Sequence, residues 1–380
     1  MGPCYLDYNA TTPIGPDVAK TMEPYLHGHF GNPSSSHPYG LAARRAVEKA
    51  RFQTAGLLGC APGEIVFTSG GTESNNLAIK GIASAARRRG NHIITSAVEH
   101  PAVSEVCRWL EGEGYRITWL PVDGQGLVDP GDLEKAITPE TTLVTIMLAN
   151  NEVGTIEPIA DLANLTHARG ALLHTDAAQA VGKIPTDVNA LGVDLLSLAG
   201  HKLYAPKGVG ALFIRDGVRP DNQLHGAAHE GGRRPGTENV LEIVGLGQAC
   251  ETASGNLAKT MSHCATMRDR LHEGFKRALG RENIRLNGHP AKRLPNTLSL
   301  CFRGVEADAL VAAISDEVAV SAGAACHAEG VSTSTVLEAM KVPVEWAKGT
   351  IRFSTGHDTN DGEIDRAVAA VAGAVQRLRQ

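Results

Sequence analysis

Lys202 follows the apolar run Gly192–Gly200 and precedes a second glycine-containing turn at 208–210. Burying an ammonium group is costly, so a lysine at such a position reaches the surface, is paired, or has lost its charge as a covalent nucleophile. In the third case, the neutral amine could attack a carbonyl group. The position alone leaves all three interpretations open.

A turn between Ser69 and Thr72 is a candidate anion site. The β-rich run that ends at Ser69 is followed by two glycines, and a helix is predicted to begin near Thr72 and Glu73. Such a turn points backbone N–H groups and the positive helix end outward, and glycine lets an anion approach closely. The turn has neither the GK[ST] ending of a P-loop nor the GxGxxG of a dinucleotide fold, so a simple turn remains the alternative.

Asp176 and Gln179 follow the apolar run Ala171–His174. An aspartate at the carboxyl end of a central strand lies where open α/β sheets bind ligands. It can equally cap the next helix, and capping is the default interpretation. Lys202 follows one βα unit further along the chain.

Cys326 lies among small residues in the stretch Ser321–Thr335 and precedes His327. Cysteine is often a small core residue, so a structural role competes with that of a reactive thiolate. The seven cysteines are odd in number and scattered, without CxxC pairs or zinc-ligand spacing, which predicts reduced thiols in the cytoplasm and no metal site.

Short apolar runs alternate with helical patterns along most of the chain, and this predicts a mostly parallel sheet covered by helices. The alternation continues into the 250s, and fewer elements of the same kind follow. We therefore expect an α/β protein with an N-terminal segment (1–14) that packs with the small domain, a large domain (15–255) and a small C-terminal domain (256–380) that carries Cys326.

The composition is that of an ordinary globular enzyme, with 42% hydrophobic and 20% charged residues. A formal net charge of -5 argues against direct capture of nucleic acid. The sequence shows no secretory leader and no run of apolar residues long enough to cross a membrane, so we expect a cytoplasmic protein.

Several motifs together resemble the cysteine desulfurases, within the class V aminotransferase group of fold-type I pyridoxal phosphate enzymes. The resemblance covers almost the whole chain, and its motifs are YLDYNATTP, FGNPSSSH, IVFTSGGTESNNLAIKG, VEHPAV, NNEVGT, DAAQAVGK, GHKLYAPKGVGAL, RPGTEN and IRFSTG.

The resemblance implies roles for the residues that would hold pyridoxal phosphate. Lys202 matches the lysine that bonds covalently to the cofactor aldehyde, and Asp176 matches the carboxylate that keeps the ring nitrogen protonated. The other matching positions are Gln179 at the ring hydroxyl, His100 on the ring face, Gly71, Thr72 and His201 at the phosphate, and Thr237 reaching that phosphate from the second subunit of a homodimer.

The resemblance also implies the substrate and the reaction. Arg352, assisted by Asn151, would bind the carboxylate of L-cysteine, since the planar fork of arginine suits a carboxylate. Cys326 would attack the substrate sulfur, carry it as a persulfide and leave alanine. A selenocysteine lyase of the same fold shares a similar GAACH stretch, and a non-catalytic scaffold subunit is the alternative from a different class.

Three departures separate this chain from many relatives. Ala199 replaces a serine that often contacts the phosphate, AGAACHAEG stands where SGSACTS is usual, and HGAAHEGG replaces the usual glycine run before Thr237. The small residues before Cys326 would allow a strand to run on to it in place of a free loop.

The chain also ends without the tail by which housekeeping relatives bind an iron–sulfur scaffold, which favours a dedicated pathway. The whole pattern most resembles the desulfurases of bacterial DNA phosphorothioation, with a sulfur acceptor that could be an iron–sulfur protein of a DNA-modification pathway.

Overall fold

The computed structural model describes the backbone of residues 2–327 and 330–380, and the side chains of 2–323 and 334–380. The strands are β1 (Cys4–Tyr5), β2 (Ile65–Thr68), β3 (His92–Ser96), β4 (Arg116–Leu120), β5 (Thr141–Thr145), β6 (Leu172–Asp176), β7 (Leu195–Ala199), β8 (Gly210–Ile214), β9 (Ile284–Asn287), β10 (Thr297–Phe302), β11 (Val318–Ala319), β12 (Ser321–Ala322), β13 (Ala324–His327), β14 (Gly330–Thr333) and β15 (Thr350–Ser354).

The helices alternate with these strands through most of the chain, as the sequence pattern predicts. They are α1 (Pro16–His27), α2 (Pro38–Leu58), α3 (Gly71–Ala85), α4 (Pro101–Gly112), α5 (Pro130–Ala136), α6 (Ile159–Ala168), α7 (Val188–Leu191), α8 (Val240–Leu279), α9 (Ala307–Ile314), α10 (Thr335–Ala339), α11 (Val344–Ala347) and α12 (Asp361–Leu378).

A seven-stranded sheet forms the centre of the larger part, in the order β2-β8-β7-β6-β5-β3-β4. Strands β3 to β7 pair in parallel, whereas β8 is antiparallel to both of its neighbours, β2 and β7. The predicted mostly parallel α/β sheet is therefore confirmed.

Both faces of this sheet are buried because neighbouring residues of a strand point to opposite sides. Ile94 of β3 belongs to a core with α2, α6 and α8, whereas the adjacent Ile93 belongs to a second cluster with α3 and α4. The near-continuous apolar runs that marked these strands in the sequence follow from this burial on both faces. Polar side chains can then be concentrated at the carboxyl ends of the strands.

The smaller part is built on an antiparallel sheet in the order β12-β15-β10-β9. The N-terminal strand β1 pairs in parallel with β11, and Asp7 bridges to Ser354 of β15. Cys4 and Leu6 share a core with residues from Met267 onward.

The helix α8 spans 40 residues and crosses the predicted limit between 255 and 256. Its buried residues up to Cys250 belong to the core of the large sheet, whereas Met267 and Leu271 belong to the core of the small domain. The division into 1–14, 15–255 and 256–380 stays a proposal, which the two cores support.

Cys326 lies on β13, which forms a separate antiparallel hairpin with β14. The small sheet ends at Gly323, whose N–H donates to the Thr350 oxygen at 2.7 Å. A Cβ at this glycine would lie 2.4 Å from Thr350 Cγ2, so the residue lets the chain pass close to β15 as it leaves the sheet. The strand before Cys326 therefore does not continue within the small sheet.

Among the described residues, no helix combines the length and the apolar character needed to cross a bilayer.

Candidate active site

Lys202 ends the short 3-10 turn Gly200–Lys202 that directly follows β7. Its Nζ donates to the backbone oxygens of Asn9 and Ala10 at 2.6 and 2.9 Å. Burial, reinforced by the positive charge of Arg352, lowers the pKa of Lys202 to about 8. The paired interpretation and the neutral-nucleophile interpretation are thus compatible, because the neutral amine still has two N–H groups to donate.

Asp176 is the last residue of β6 and is buried, with 7% of its surface exposed. Its Oδ2 accepts from Asn75 Nδ2 at 2.7 Å and its Oδ1 accepts from the Ala178 N–H at 2.9 Å. The next α-helix is α7, whose N-cap is Asp187, so Asp176 does not cap it. The capping interpretation was wrong because the chain makes turns after Asp176 before that helix begins.

Gln179 belongs to a buried polar network. Its Nε2 donates to the Asn9 oxygen at 2.9 Å, and its Oε1 accepts from Lys183 Nζ at 2.7 Å. Burial, with the nearby charge of Lys202, lowers the pKa of Lys183 to about 7. These two contacts fix the orientation of the Gln179 amide, whose second Nε2 hydrogen stays available for a ligand.

The first turn of α3 has the geometry that the predicted anion site requires. The N-cap residue Gly70 has φ 147°, a conformation that favours glycine, and no side chain caps the helix. A surface pocket of about 540 Å³ lies beside this turn and is lined by Gly71, Thr72, His201 and Lys207 among others. Backbone N–H groups, the helix dipole and a lysine together suit a phosphate.

The imidazole of His201 remains neutral at physiological pH, because burial and the charges of Lys202 and Lys207 lower its pKa to about 4. Ala199 lies beside the same turn, with its Cβ 3.4 Å from the point where a Cβ on Gly71 would stand. This side of the site therefore presents a methyl group and no hydroxyl.

A cavity of about 200 Å³ joins these groups at the carboxyl ends of the strands. The predicted site residues that line it are Gly71, Thr72, His100, Asn151, Asp176, Gln179, His201 and Lys202.

His100 is the N-cap of α4, and its Nδ1 accepts from the Ala102 N–H at 3.1 Å. Part of the side chain reaches solvent, but desolvation of the ring by the surrounding protein lowers the pKa of His100 below its usual value. The negative charge of Asp176 acts in the opposite direction, and its effect is smaller. A neutral ring at the cavity wall suits stacking against a planar ligand.

Arg352 lies on β15 and is mostly buried, with 12% of its side chain exposed. Its NH1 donates to the Asn151 oxygen at 3.1 Å, and its NH2 donates to Asp7 Oδ1 at 2.9 Å. Among the described residues, its buried Nε has no hydrogen-bond partner. The guanidinium therefore contacts Asn151, which lines the cavity, and keeps one N–H group free for a ligand.

Among the predicted residues whose side chains the structure describes, Arg352 and Thr237 do not line this cavity. Thr237 is exposed and does not line it, which is compatible with a contact to another subunit. The side chain of Cys326 lies outside the described residues, so the structure places only its backbone, on β13.

Asn75, Lys183 and Asn9 are site residues to which the sequence reasoning gave no role. Asn75 orients Asp176, Lys183 orients Gln179, and Asn9 accepts from both Lys202 and Gln179. All three stand inside motifs that carry the family resemblance, so a search of those motifs for buried polar residues could have found them. Among the described residues, no group of three or more His, Cys, Asp or Glu side chains is placed to hold a metal ion.

The aminotransferase class-V family model matches residues 4–367, and the chain belongs to this family of pyridoxal phosphate enzymes. A curated relative, the cysteine desulfurase IscS of Methanosarcina thermophila, is 45% identical over 376 residues, covering 99% of this chain and 92% of the relative.

Solved structures show the same architecture. A NifS-like protein has a TM-score of 0.93 at 36% identity and covers 99% of this chain and 100% of its own. DndA from Streptomyces lividans has a TM-score of 0.78 at 37% identity and covers 92% of this chain and 99% of its own. The predicted special likeness to phosphorothioation desulfurases is thus supported only in part, since the IscS relative is more similar in sequence than DndA.

The residues present fit pyridoxal phosphate. The uncapped turn of α3 suits its phosphate, the buried Asp176 carboxylate suits a protonated ring nitrogen, and the Lys202 amine suits its aldehyde. When bound, the cofactor supplies a ring that accepts the electron pair left at a substrate α-carbon. The Lys202 amine, at the wall of the same cavity, would then be placed to take up and return the proton.

Proposed function

We propose that this enzyme is a cysteine desulfurase that converts L-cysteine to L-alanine and carries the released sulfur on Cys326. The near-full-length similarity to an enzyme named cysteine desulfurase carries the proposal. The lysine and the buried carboxylate at one cavity support it, together with an arginine that contacts Asn151 at the cavity wall, because an amino-acid substrate needs a covalent partner, an electron sink and a carboxylate anchor.

The proposed sulfur transfer balances without an added oxidant. The Cys326 thiolate forms an S–S bond to the substrate sulfur while the bond from that sulfur to the substrate β-carbon breaks. The electron pair of the broken bond stays on carbon, which takes up a proton and becomes the alanine methyl group. L-cysteine and the enzyme thiol thus yield L-alanine and the enzyme persulfide.

We further propose that the protein works as a cytoplasmic homodimer in which Thr237 reaches the phosphate site of the second subunit. Large apolar side chains near α1 and α2 support a subunit interface, since Phe30, Tyr39 and Phe52 are 74%, 60% and 69% exposed. The persulfide would pass to an acceptor protein. DNA phosphorothioation is the pathway that we propose for it, on the sequence resemblance and the likeness to DndA.

The Cys326→Ser variant tests the assignment of the sulfur carrier. It should bind pyridoxal phosphate normally and yet hold no sulfur from ³⁵S-labelled L-cysteine, because serine cannot form an S–S bond. Cys60→Ser is the matched control, since Cys60 is a half-buried thiol that does not line the cavity. Wild-type alanine release by Cys326→Ser, or labelled sulfur on Cys60, Cys107 or Cys301, would contradict the proposal.

L-selenocysteine separates the desulfurase from the lyase of the same fold. A desulfurase should release alanine from cysteine and lose this activity in Cys326→Ser. Substantial activity of that variant on selenocysteine alone would favour the lyase. Transfer of label to a purified candidate acceptor, with Cys326→Ser as the negative control, would identify the pathway.

A further inference from the structure

Asp7, Arg352 and Ser321 form a closed triangle of hydrogen bonds. Arg352 NH2 lies 2.9 Å from Asp7 Oδ1 and 2.8 Å from Ser321 Oγ, and that hydroxyl donates to Asp7 Oδ1 at 2.9 Å. The three residues come from separate elements, because Asp7 follows β1, Ser321 begins β12 and Arg352 lies on β15. In the strand register, Ser321 stands directly opposite Arg352.

The triangle gives Arg352 a carboxylate before any substrate arrives. Asp7 is only 17% exposed, so the ion pair is partly shielded from water. A substrate carboxylate that approaches the same guanidinium brings a second negative charge to within a few ångströms of Asp7. The Asp7 carboxylate and the substrate carboxylate therefore compete for the Arg352 guanidinium, because the two negative charges repel each other and both are stabilised by hydrogen bonds from the same N–H groups.

The two ends of the Cys326 segment are both tied to this part of the site. Ser321 precedes Cys326 by five positions and is held by Asp7 and Arg352. On the other side of the hairpin, Ser334 Oγ donates to Glu152 Oε2, and Glu152 adjoins Asn151. The strand β12 contains only Ser321 and Ala322, and the Gly323 N–H that follows donates to the Thr350 oxygen, so a short backbone ladder is what else holds the first end.

We propose that Asp7 and Ser321 are positioning residues that couple an amino-acid carboxylate on Arg352 to the Cys326 segment. In the free enzyme, Asp7 holds Arg352 and Ser321 together. A bound carboxylate displaces Asp7 from the guanidinium, the Ser321 anchor loosens, and residues 321–327 gain freedom while Ser334 keeps its contact to Glu152. This inference rests on the proposed function for the role of Arg352 and Cys326.

Hydrogen–deuterium exchange on the holoenzyme tests this coupling. L-alanine, which has the carboxylate and no sulfur, should increase exchange in peptides that cover 318–327. Cysteamine, which has the amine and thiol and no carboxylate, should not. An absent response to saturating L-alanine, or an equal response to cysteamine, would overturn the inference.

Two variants show whether Asp7 and Ser321 carry the effect. Asp7→Asn and Ser321→Ala should show raised exchange in 318–327 without ligand and little further change with L-alanine. Asp7→Asn should also lower KM for cysteine by roughly three- to tenfold, because a charged hydrogen bond that competes with the substrate is removed. A merely structural role would raise KM. Glu317→Gln is the matched control, because it removes an exposed charge near β11 and should behave as wild type.

Alanine release from L-cysteine, measured in parallel, separates this inference from the proposed function. If wild-type enzyme forms no alanine from cysteine and still responds to L-alanine in exchange, the desulfurase assignment fails and the coupling stands. If it forms alanine normally and 318–327 does not respond, the coupling is wrong. An L-alanine response in Asp7→Asn equal to that of wild type would also overturn it.

Discussion

Lys202 Nζ donates to the backbone oxygen of Asn9 across 2.6 Å, although 193 positions separate the two residues in the chain. The same oxygen accepts from Gln179 Nε2 at 2.9 Å. A residue of the N-terminal segment therefore completes the surroundings of a lysine in the large domain. The reactive amine depends on three distant parts of the sequence, because Arg352 also acts on its charge.

The pH dependence of cofactor binding should follow the protonation of Lys202. Only the neutral amine attacks an aldehyde, so the rate of pyridoxal phosphate capture by apoenzyme should rise about tenfold per pH unit from pH 6 and level off above a pH of about 8. Asp7 raises the pKa of Lys202, so Asp7→Asn should shift the profile to lower pH. Stopped-flow absorbance measures both profiles, and coincident curves would contradict this electrostatic account.

Lys202→Ala should abolish turnover and covalent attachment of the cofactor. Borohydride reduction of the holoenzyme followed by peptide mapping should place the cofactor on Lys202 in the wild type and on no lysine in the variant. Lys207→Ala is the matched control, since Lys207 is exposed beside the phosphate pocket and should leave the attachment site unchanged. Recovery of the cofactor on another lysine of the wild type would refute the assignment.

Asp176→Ala should lower exchange of the substrate α-proton by orders of magnitude, because the electron sink is weakened without a carboxylate at the ring nitrogen. Asn75→Ala removes only the donor to Asp176 Oδ2 and should cost roughly 10- to 100-fold, as supporting residues around a site commonly do. Exchange followed by NMR in deuterated buffer measures both. Near-normal exchange in a folded Asp176→Ala protein would restrict Asp176 to a structural role.

Glu157→Gln should change how stability depends on pH. Burial raises the pKa of Glu157 to about 8, so the carboxyl is protonated in the folded protein and ionised in the unfolded chain between about pH 4.5 and 8. In this pH range the unfolded state binds fewer protons than the folded state. The contribution of Glu157 to the free energy of unfolding is therefore complete below the pKa of the unfolded chain and is lost as pH rises through the folded pKa of about 8.

Urea unfolding between pH 6.5 and 8 measures this contribution as a difference between variant and wild type. The wild-type free energy of unfolding should fall relative to the variant by at most about 1.4 kcal/mol per pH unit. Other titrating groups, including Lys183 and Lys202, act in both proteins and cancel in the difference. Parallel curves would show that Glu157 does not carry a proton in the folded state.

The large sheet could be predicted from the sequence because buried strands have continuous apolar runs and the helices that cover them have amphipathic patterns. Lys202 and Asp176 could be located at strand ends for the same reason. The start of α8 could not be placed, since Val240–Cys250 packs against α1 and α2 and so lacks the amphipathic pattern of its later part.

The other features that the sequence did not predict depend on contacts between distant parts of the chain. Nothing local to Asp7 or Asn9 indicates that one would bind Arg352 and the other Lys202, because both contacts depend on how the N-terminal segment lies between the domains. The separate hairpin at Cys326 was equally hidden, since its small residues permit a continuous strand and a break alike. The contact of Gly323 with Thr350, which marks the last residue held by the small sheet, is likewise a contact between distant parts of the chain.

A helix of 40 residues is about 60 Å long, and α8 contributes its two halves to two different cores. Heat should therefore melt the chain as one cooperative unit, with a calorimetric enthalpy close to the van 't Hoff enthalpy, because neither core can lose its half of the helix without strain on the other. Cutting the chain between 255 and 256 would divide this helix and leave two fragments, each with an apolar surface that its own residues cannot cover.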